Sequence, residues 1–178
     1  MSAIDNLIER SLKELAQDGH LTSWYGKERD WVNYFTHRHL MPQCSSSSPV
    51  KDWAQICIEV SVPQPPGYNK PSVCRDIVIW HTPGDTCFTP DGRPNQHPLA
   101  LIEWKVHRQG RRNPDVSHER QWLRAYCGWQ PAVFGYAVEV EIGVRAATLT
   151  CCSFLAGNER VLCAFEIPRV PSAEMGLA

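Results

Sequence analysis

Apolar residues in this chain recur with two different periods, and the place where the period changes constrains the fold more than any other feature. Up to Leu40 they recur every three or four positions. Ile4, Leu7, Ile8, Leu12 and Leu15 mark one face of a helix over 3–17, with Ser2 and Asp5 in capping-box spacing before it and Gly19 after it. Trp31, Val32 and Phe35 mark the stripe of a second helix from about Trp24 to Leu40, and Glu28 shares its buried face. Beyond the Ser45–Ser48 run, apolar residues alternate instead. Ile56, Ile58, Val60 and Val62 predict one face of a strand that ends at the Pro63–Gly67 turn. Val73–Trp80 and Leu99–Val106 predict two further strands, separated by a loop rich in Pro, Gly and Asp from His81 to Pro98. Asn113-Pro114 reads as an N-cap with proline at the first helical position, opening a helix to about Cys127. Val133–Ile142, Ala146–Leu155 and Arg160–Ile167 predict the closing strands. The order predicts an α/β fold, a mixed central sheet flanked by helices.

Length and composition bound what this fold does. The 178 residues, 43% of them hydrophobic, suffice for one domain with a full core, without metal or disulfide staples. No uncharged stretch reaches the roughly 20 apolar residues of a membrane span, and the first residues lack a basic segment followed by an apolar one. A cytoplasmic protein that makes no membrane contact is therefore expected. The net charge of −1 means that any grip on nucleic acid comes from a local cationic patch. One such patch runs from Lys105 through Arg108 to Arg111 and Arg112. The eight cysteines contain no C-x-x-C pair, which removes the zinc-ribbon reading and leaves mostly buried free thiols; the vicinal Cys151 and Cys152 alternate across a strand and pack. His81, His107 and His118 read as surface residues.

Charges inside apolar strands are the candidates for chemistry. On the third strand, strict alternation puts Leu99, Leu101, Glu103 and Lys105 on one face. On the second, Asp76 interrupts an apolar run and shares its face with Val78 and Trp80. If the two strands pair, Asp76 and Glu103 converge, and paired carboxylates suit a hard divalent cation. Glu28 can approach the same point from the helix. Glu59 is expected to face solvent and is the alternative third acid. Asp91, which follows Pro90, is the rival of Asp76.

In these residues and their order the chain resembles the PD-(D/E)XK nuclease superfamily, the restriction-endonuclease-like fold. The resemblance spans about Glu28 to Ile142. It matches Glu28 to the helix acid, Asp76 to the strand acid and Glu103-Trp104-Lys105 to the signature tripeptide, with Arg75 standing where proline is usual. It implies a core of helix, three strands, helix and strand over about 24–142, to which the first helix and the strands of 146–167 are additions. It also implies a Mg²⁺-dependent deoxyribonuclease, with Mn²⁺ as a substitute. Asp76, Glu103, the Trp104 carbonyl and Glu28 would hold metal, and Lys105 would orient the attacking water. The products would carry a 3′-hydroxyl and a 5′-phosphate. Arg108, Arg111 and Arg112, with Arg120, Gln121 and Arg124 on the following helix, would meet the phosphate backbone of DNA, with RNA also possible. Gln121 and Tyr126 stand one residue further apart than the exonuclease Gln-x-x-x-Tyr motif, which favours endonucleolytic cutting, and a homodimer would cut both strands. The alternative is a non-catalytic nuclease-like module that binds nucleic acid or a protein partner.

Overall fold

Six strands pair in the order of the chain, and that order decides which side chains meet. The computed structural model describes residues 1–18, 26–89, 91–92, 96–108, 117–144 and 146–168. The strands are β1 (Ile56–Pro63), β2 (Ser72–Ile79), β3 (Ala100–Arg108), β4 (Phe134–Ile142), β5 (Ala146–Leu155) and β6 (Asn158–Pro168). Sheet order is β1-β2-β3-β4-β5-β6. Every neighbouring pair is antiparallel except β3 and β4, which are parallel. A parallel pair needs a crossover, and α3 (Ser117–Trp129) lies between these two strands in the chain.

Helices cover both faces. On one, α1 (Ala3–Gln17) and α2 (Glu28–Phe35) bury Leu7, Ile8, Leu12, Trp31 and Phe35 against Ile77, Ile102, Trp104 and Val138. On the other, Trp122, Leu123, Tyr126 and Cys127 of α3 pack on Val78, Leu101, Ala137 and Phe154. Each such large side chain contributes about 1.5–3 kcal/mol when fully buried. The Ser2 hydroxyl accepts the Asp5 amide at 3.1 Å while the Asp5 carboxylate accepts the Ser2 amide at 2.8 Å, closing the capping box expected at α1.

Several boundaries differ from the sequence expectation. The second helix begins, among described residues, at Glu28 and stays α-helical only to Phe35. Thr36–Leu40 form a π-helical turn and Met41–Gln43 a 3₁₀ turn, so the continuous helix to Leu40 is replaced by three windings. β3 runs on to Arg108, two residues past the expected end at Val106. The helix expected from Asn113 is described from Ser117, and it continues past Cys127 to Trp129; Asn113, Pro114, Arg111 and Arg112 lie outside the described residues. β6 begins at Asn158, two residues before the expected start.

The face of β1 is the largest correction. Ile56 and Ile58 join the α1/α2 side, whereas Val60 and Val62 join the α3 side. Glu59 has φ of 54°, in the left-handed region, and this single turn of the backbone inverts the alternation that the sequence predicts to be unbroken. Asp76 would be Glu59's partner by register, and at that point β2 changes as well.

Candidate functional site

The antiparallel ladder between β2 and β3 is short: Ile77 to Ile79 pair with Ile102 to Ala100, and the pairing stops there. Beyond Ile102, β3 remains paired with β4 on its other side while its β2-facing edge is open. Open strand amides need acceptors, and here two carboxylates supply them. Asp76 Oδ2 accepts the Trp104 amide at 2.8 Å. Glu28 Oε2 accepts the Val106 amide at 3.3 Å. A residue's N–H and C=O leave a strand on the same side, so the Trp104 carbonyl also faces this wedge.

Lys105 stands at the mouth of the wedge. Its Nζ is 3.0 Å from Glu28 Oε1 and 3.6 Å from Glu119 Oε1 on the first turn of α3. Burial disfavours the charge on Lys105, but the Glu28 hydrogen bond and the charges of Glu28, Glu119 and Asp76 outweigh it and hold the amine above its ordinary value. Lys105 is therefore a fixed cation near neutral pH. Glu103 lies on the same face, 5% exposed. Its Oε2 meets Arg75 Nη1 at 3.0 Å, and its Oε1 is buried with no hydrogen-bond partner among the described residues. Burial, opposed by Arg75 and aided by the nearby Asp76, pushes the Glu103 carboxyl up to about 7. Burial also raises Asp76, against the pull of the Trp104 amide and Lys105.

Asp76 and Glu28 thus hold the free β3 amides, Lys105 stands beside Glu28, and Glu103 lies between Arg75 and the charge of Asp76. The route of Glu28 differs from the expectation. It is not on the core face of α2; it is the first residue of that helix, about a third exposed, and reaches into the sheet plane from its end. Glu59 faces solvent as expected, paired with Arg29 at 2.8 Å. Asp91 sits in an exposed turn, where it accepts the Thr89 hydroxyl. His81 and His118 are exposed as expected, but His107 is not: it is 7% exposed, and neither ring nitrogen has a partner among the described residues. It follows Glu103 and Lys105 in alternation along β3.

Sequence reasoning missed three participants. Arg75 is 6% exposed, with its guanidinium carbon 3.6 Å from the centroid of the Trp122 ring. Trp122 is fixed in turn by its indole N–H to Gln64 Oε1 at 2.8 Å and by stacking on Tyr126. Glu119 adds a fourth acid, whose Oε2 is buried without a partner among the described residues. The one available signal was Arg75 itself, a charge adjacent to Asp76 within an apolar strand.

The cationic residues behave differently from the acids. Arg108 donates to the Gly26 carbonyl. Arg120 is tied to Glu139 at 2.7 Å and to Glu159 at 3.2 Å, and Arg124 also pairs with Glu159. Gln121 is exposed. Among the described residues no group of three or more His, Cys, Asp or Glu side chains is arranged to hold a metal ion. The oxygens that could take a cation there are fewer: Glu103 Oε1, which has no partner among the described residues, the Asp76 carboxylate and the Trp104 carbonyl. Mg²⁺ takes one or two carboxylates and keeps several waters, so this donor set matches its chemistry. In comparisons of the chain with protein-family models, with curated proteins and with solved structures, nothing matches.

Proposed function

We propose that this chain is a Mg²⁺-dependent deoxyribonuclease with a restriction-endonuclease-like core, cutting phosphodiester bonds internally. The observation that carries the reading is the split between β2 and β3, where Asp76 and Glu28 cap two successive free amides of the strand that presents Glu103 and Lys105. The strand order, with its one parallel pair across α3, supports the same core.

Each side chain has a task in this reading. Asp76, locked by the Trp104 amide, and Glu103, held at Oε2 by Arg75, offer oxygens to the cation together with the Trp104 carbonyl. When bound, the cation polarises the phosphate and lowers the pKa of a coordinated water. Lys105, kept charged by Glu28 and Glu119, donates hydrogen bonds to the attacking water and to the phosphoryl oxygens where negative charge accumulates. Because Lys105 remains protonated, it acts as an electrostatic partner and not as the base. Glu28 positions Lys105 and ties α2 to β3.

Cleavage of supercoiled plasmid and of linear DNA in Mg²⁺ or Mn²⁺ tests this. The wild-type chain is expected to nick or linearise the plasmid, with Asp76→Ala and Lys105→Ala each reducing the rate by about 100-fold or more. Folded wild-type protein without turnover, or activity that survives both substitutions, overturns it. The competing reading is a non-catalytic nuclease-like module. One observation favours it: Arg120 and Arg124 are occupied by Glu139 and Glu159. It requires a folded chain that binds nucleic acid or protein without cutting, unchanged by Lys105→Ala.

A further inference from the structure

Cys151 on β5 and Cys163 on β6 are direct register partners in the antiparallel ladder. Both side chains are buried in the cluster beneath α1, and all eight cysteines are free thiols. Antiparallel partners have Cα atoms about 4.5–5.5 Å apart, inside the range of about 4.4–6.8 Å that a disulfide spans. The neighbouring Cys152 belongs to the opposite face, and the ladder shifts register between the two, so that Cys152 lies opposite Val161. The pairing therefore selects Cys151 over Cys152. β6 is an edge strand with one neighbour, so it can open locally while the other five strands stay paired.

We propose that Cys151 and Cys163 form a thiol–disulfide exchange site that takes a low-molecular-weight disulfide and closes into a cross-strand bridge between β5 and β6. Cys163 is the entry point: it is 8% exposed whereas Cys151 is fully buried. The neighbouring Cys151 thiol lowers the Cys163 thiol from its ordinary value, against the opposing effect of burial. The Cys163 thiolate attacks one sulfur of the small disulfide, forming a mixed disulfide and releasing one thiolate. The Cys151 thiol then gives its proton to solvent, and its sulfur attacks Cys163, breaking the mixed disulfide and expelling the second thiolate. Two protein thiols are oxidised and one small disulfide is reduced to two thiols. The proposal is independent of phosphodiester chemistry.

The test is treatment of the folded chain with oxidised glutathione, acid quenching, alkylation in denaturant and peptide mapping. The expected product lacks two hydrogens and joins the β5 peptide to the β6 peptide. The cross-link disappears in Cys151→Ser and in Cys163→Ser, persists in Cys152→Ser and in Cys74→Ser, and raises the urea midpoint until dithiothreitol is added. The wild-type map decides the matter even if a core serine variant fails to fold. Full alkylation of Cys151 and Cys163 after exposure, while the exposed Cys74 carries glutathione, overturns the proposal. So does a cross-link that survives Cys151→Ser.

Discussion

Asp5 illustrates how much one residue can hold. Besides capping α1 through Ser2, its carboxylate accepts the Tyr136 hydroxyl at 3.0 Å and pairs with Arg160 at 2.8 Å. Burial pushes the carboxyl up, but the Ser2 backbone and hydroxyl, Tyr136 and Arg160 together hold it below its ordinary 3.8. A carboxyl lowered by folding contributes stability at pH values above its unfolded pKa, and that contribution is lost as pH falls through the folded value. Asp5→Ala is expected to cost about 2–4 kcal/mol at pH 7, the sum of a lost cap and an orphaned buried Tyr136 hydroxyl, with little added by the exposed Arg160. In urea unfolding at pH 7 and pH 3, the gap between wild type and Asp5→Asn narrows at the lower pH; a constant gap would refute the ionic role. The cap was legible because Ser2 and Asp5 are neighbours in the chain. Tyr136 and Arg160 were not, being 131 and 155 residues away. The candidate site divides in the same way. Glu103 and Lys105 are two apart on one strand, so alternation alone places them together, whereas Arg75, Trp122 and Glu119 meet them only through pairing and helix docking.

At the scale of the element, periodicity predicted which strands form but not where β1 changes face. A left-handed φ at a residue other than glycine leaves no mark on the hydrophobic pattern. Glu59 bears a conformational cost of about 1 kcal/mol there, and its exposed pair with Arg29 returns little. Glu59→Gly is therefore expected to keep or raise stability by up to about 1 kcal/mol, and Glu59→Val to lower it by about 1–2 kcal/mol, as read in denaturant midpoints. Equal losses in both would mean that the Glu59 side chain, and not its backbone, matters. The α3–β4 contact makes a second prediction. A Cβ at Gly135 would lie 2.9 Å from the Cys127 sulfur, 3.2 Å from Leu123 and 3.3 Å from the Phe154 Cβ. Gly135→Ala should cost about 1–3 kcal/mol by lifting α3 from the sheet. Because Trp122 and Glu119 ride on that helix, cleavage activity should fall more than stability accounts for. The helix boundaries, by contrast, follow tertiary contacts: the passage from α2 into π and 3₁₀ turns at Thr36 has no sequence punctuation until Pro42.

For the whole molecule, a cation bound only by the folded wedge must stabilise the fold by mass action. At a Mn²⁺ concentration 100-fold above its dissociation constant, the gain is about 2.7 kcal/mol, or about 5–11 °C in melting temperature for a chain of this size. Calorimetric melting with and without Mn²⁺ should show that shift in the wild type and lose it in Asp76→Ala; an equal shift in both would place the ion elsewhere. The α/β class, the six strands and the helix order were readable as periods, because each element buries one face against a common sheet. The mixed character of the sheet was expected as well, but which pair is parallel and where β2 and β3 split were not, since they depend on which edges meet. The clasp between α1 and β6 also bears on how the chain matures at the ribosome. Asp5 emerges long before Arg160 does, so α1 waits for the β5–β6 hairpin before it can lock. A nascent chain stalled ahead of Asn158 should carry that helix undocked and open to proteases, and release should seal it.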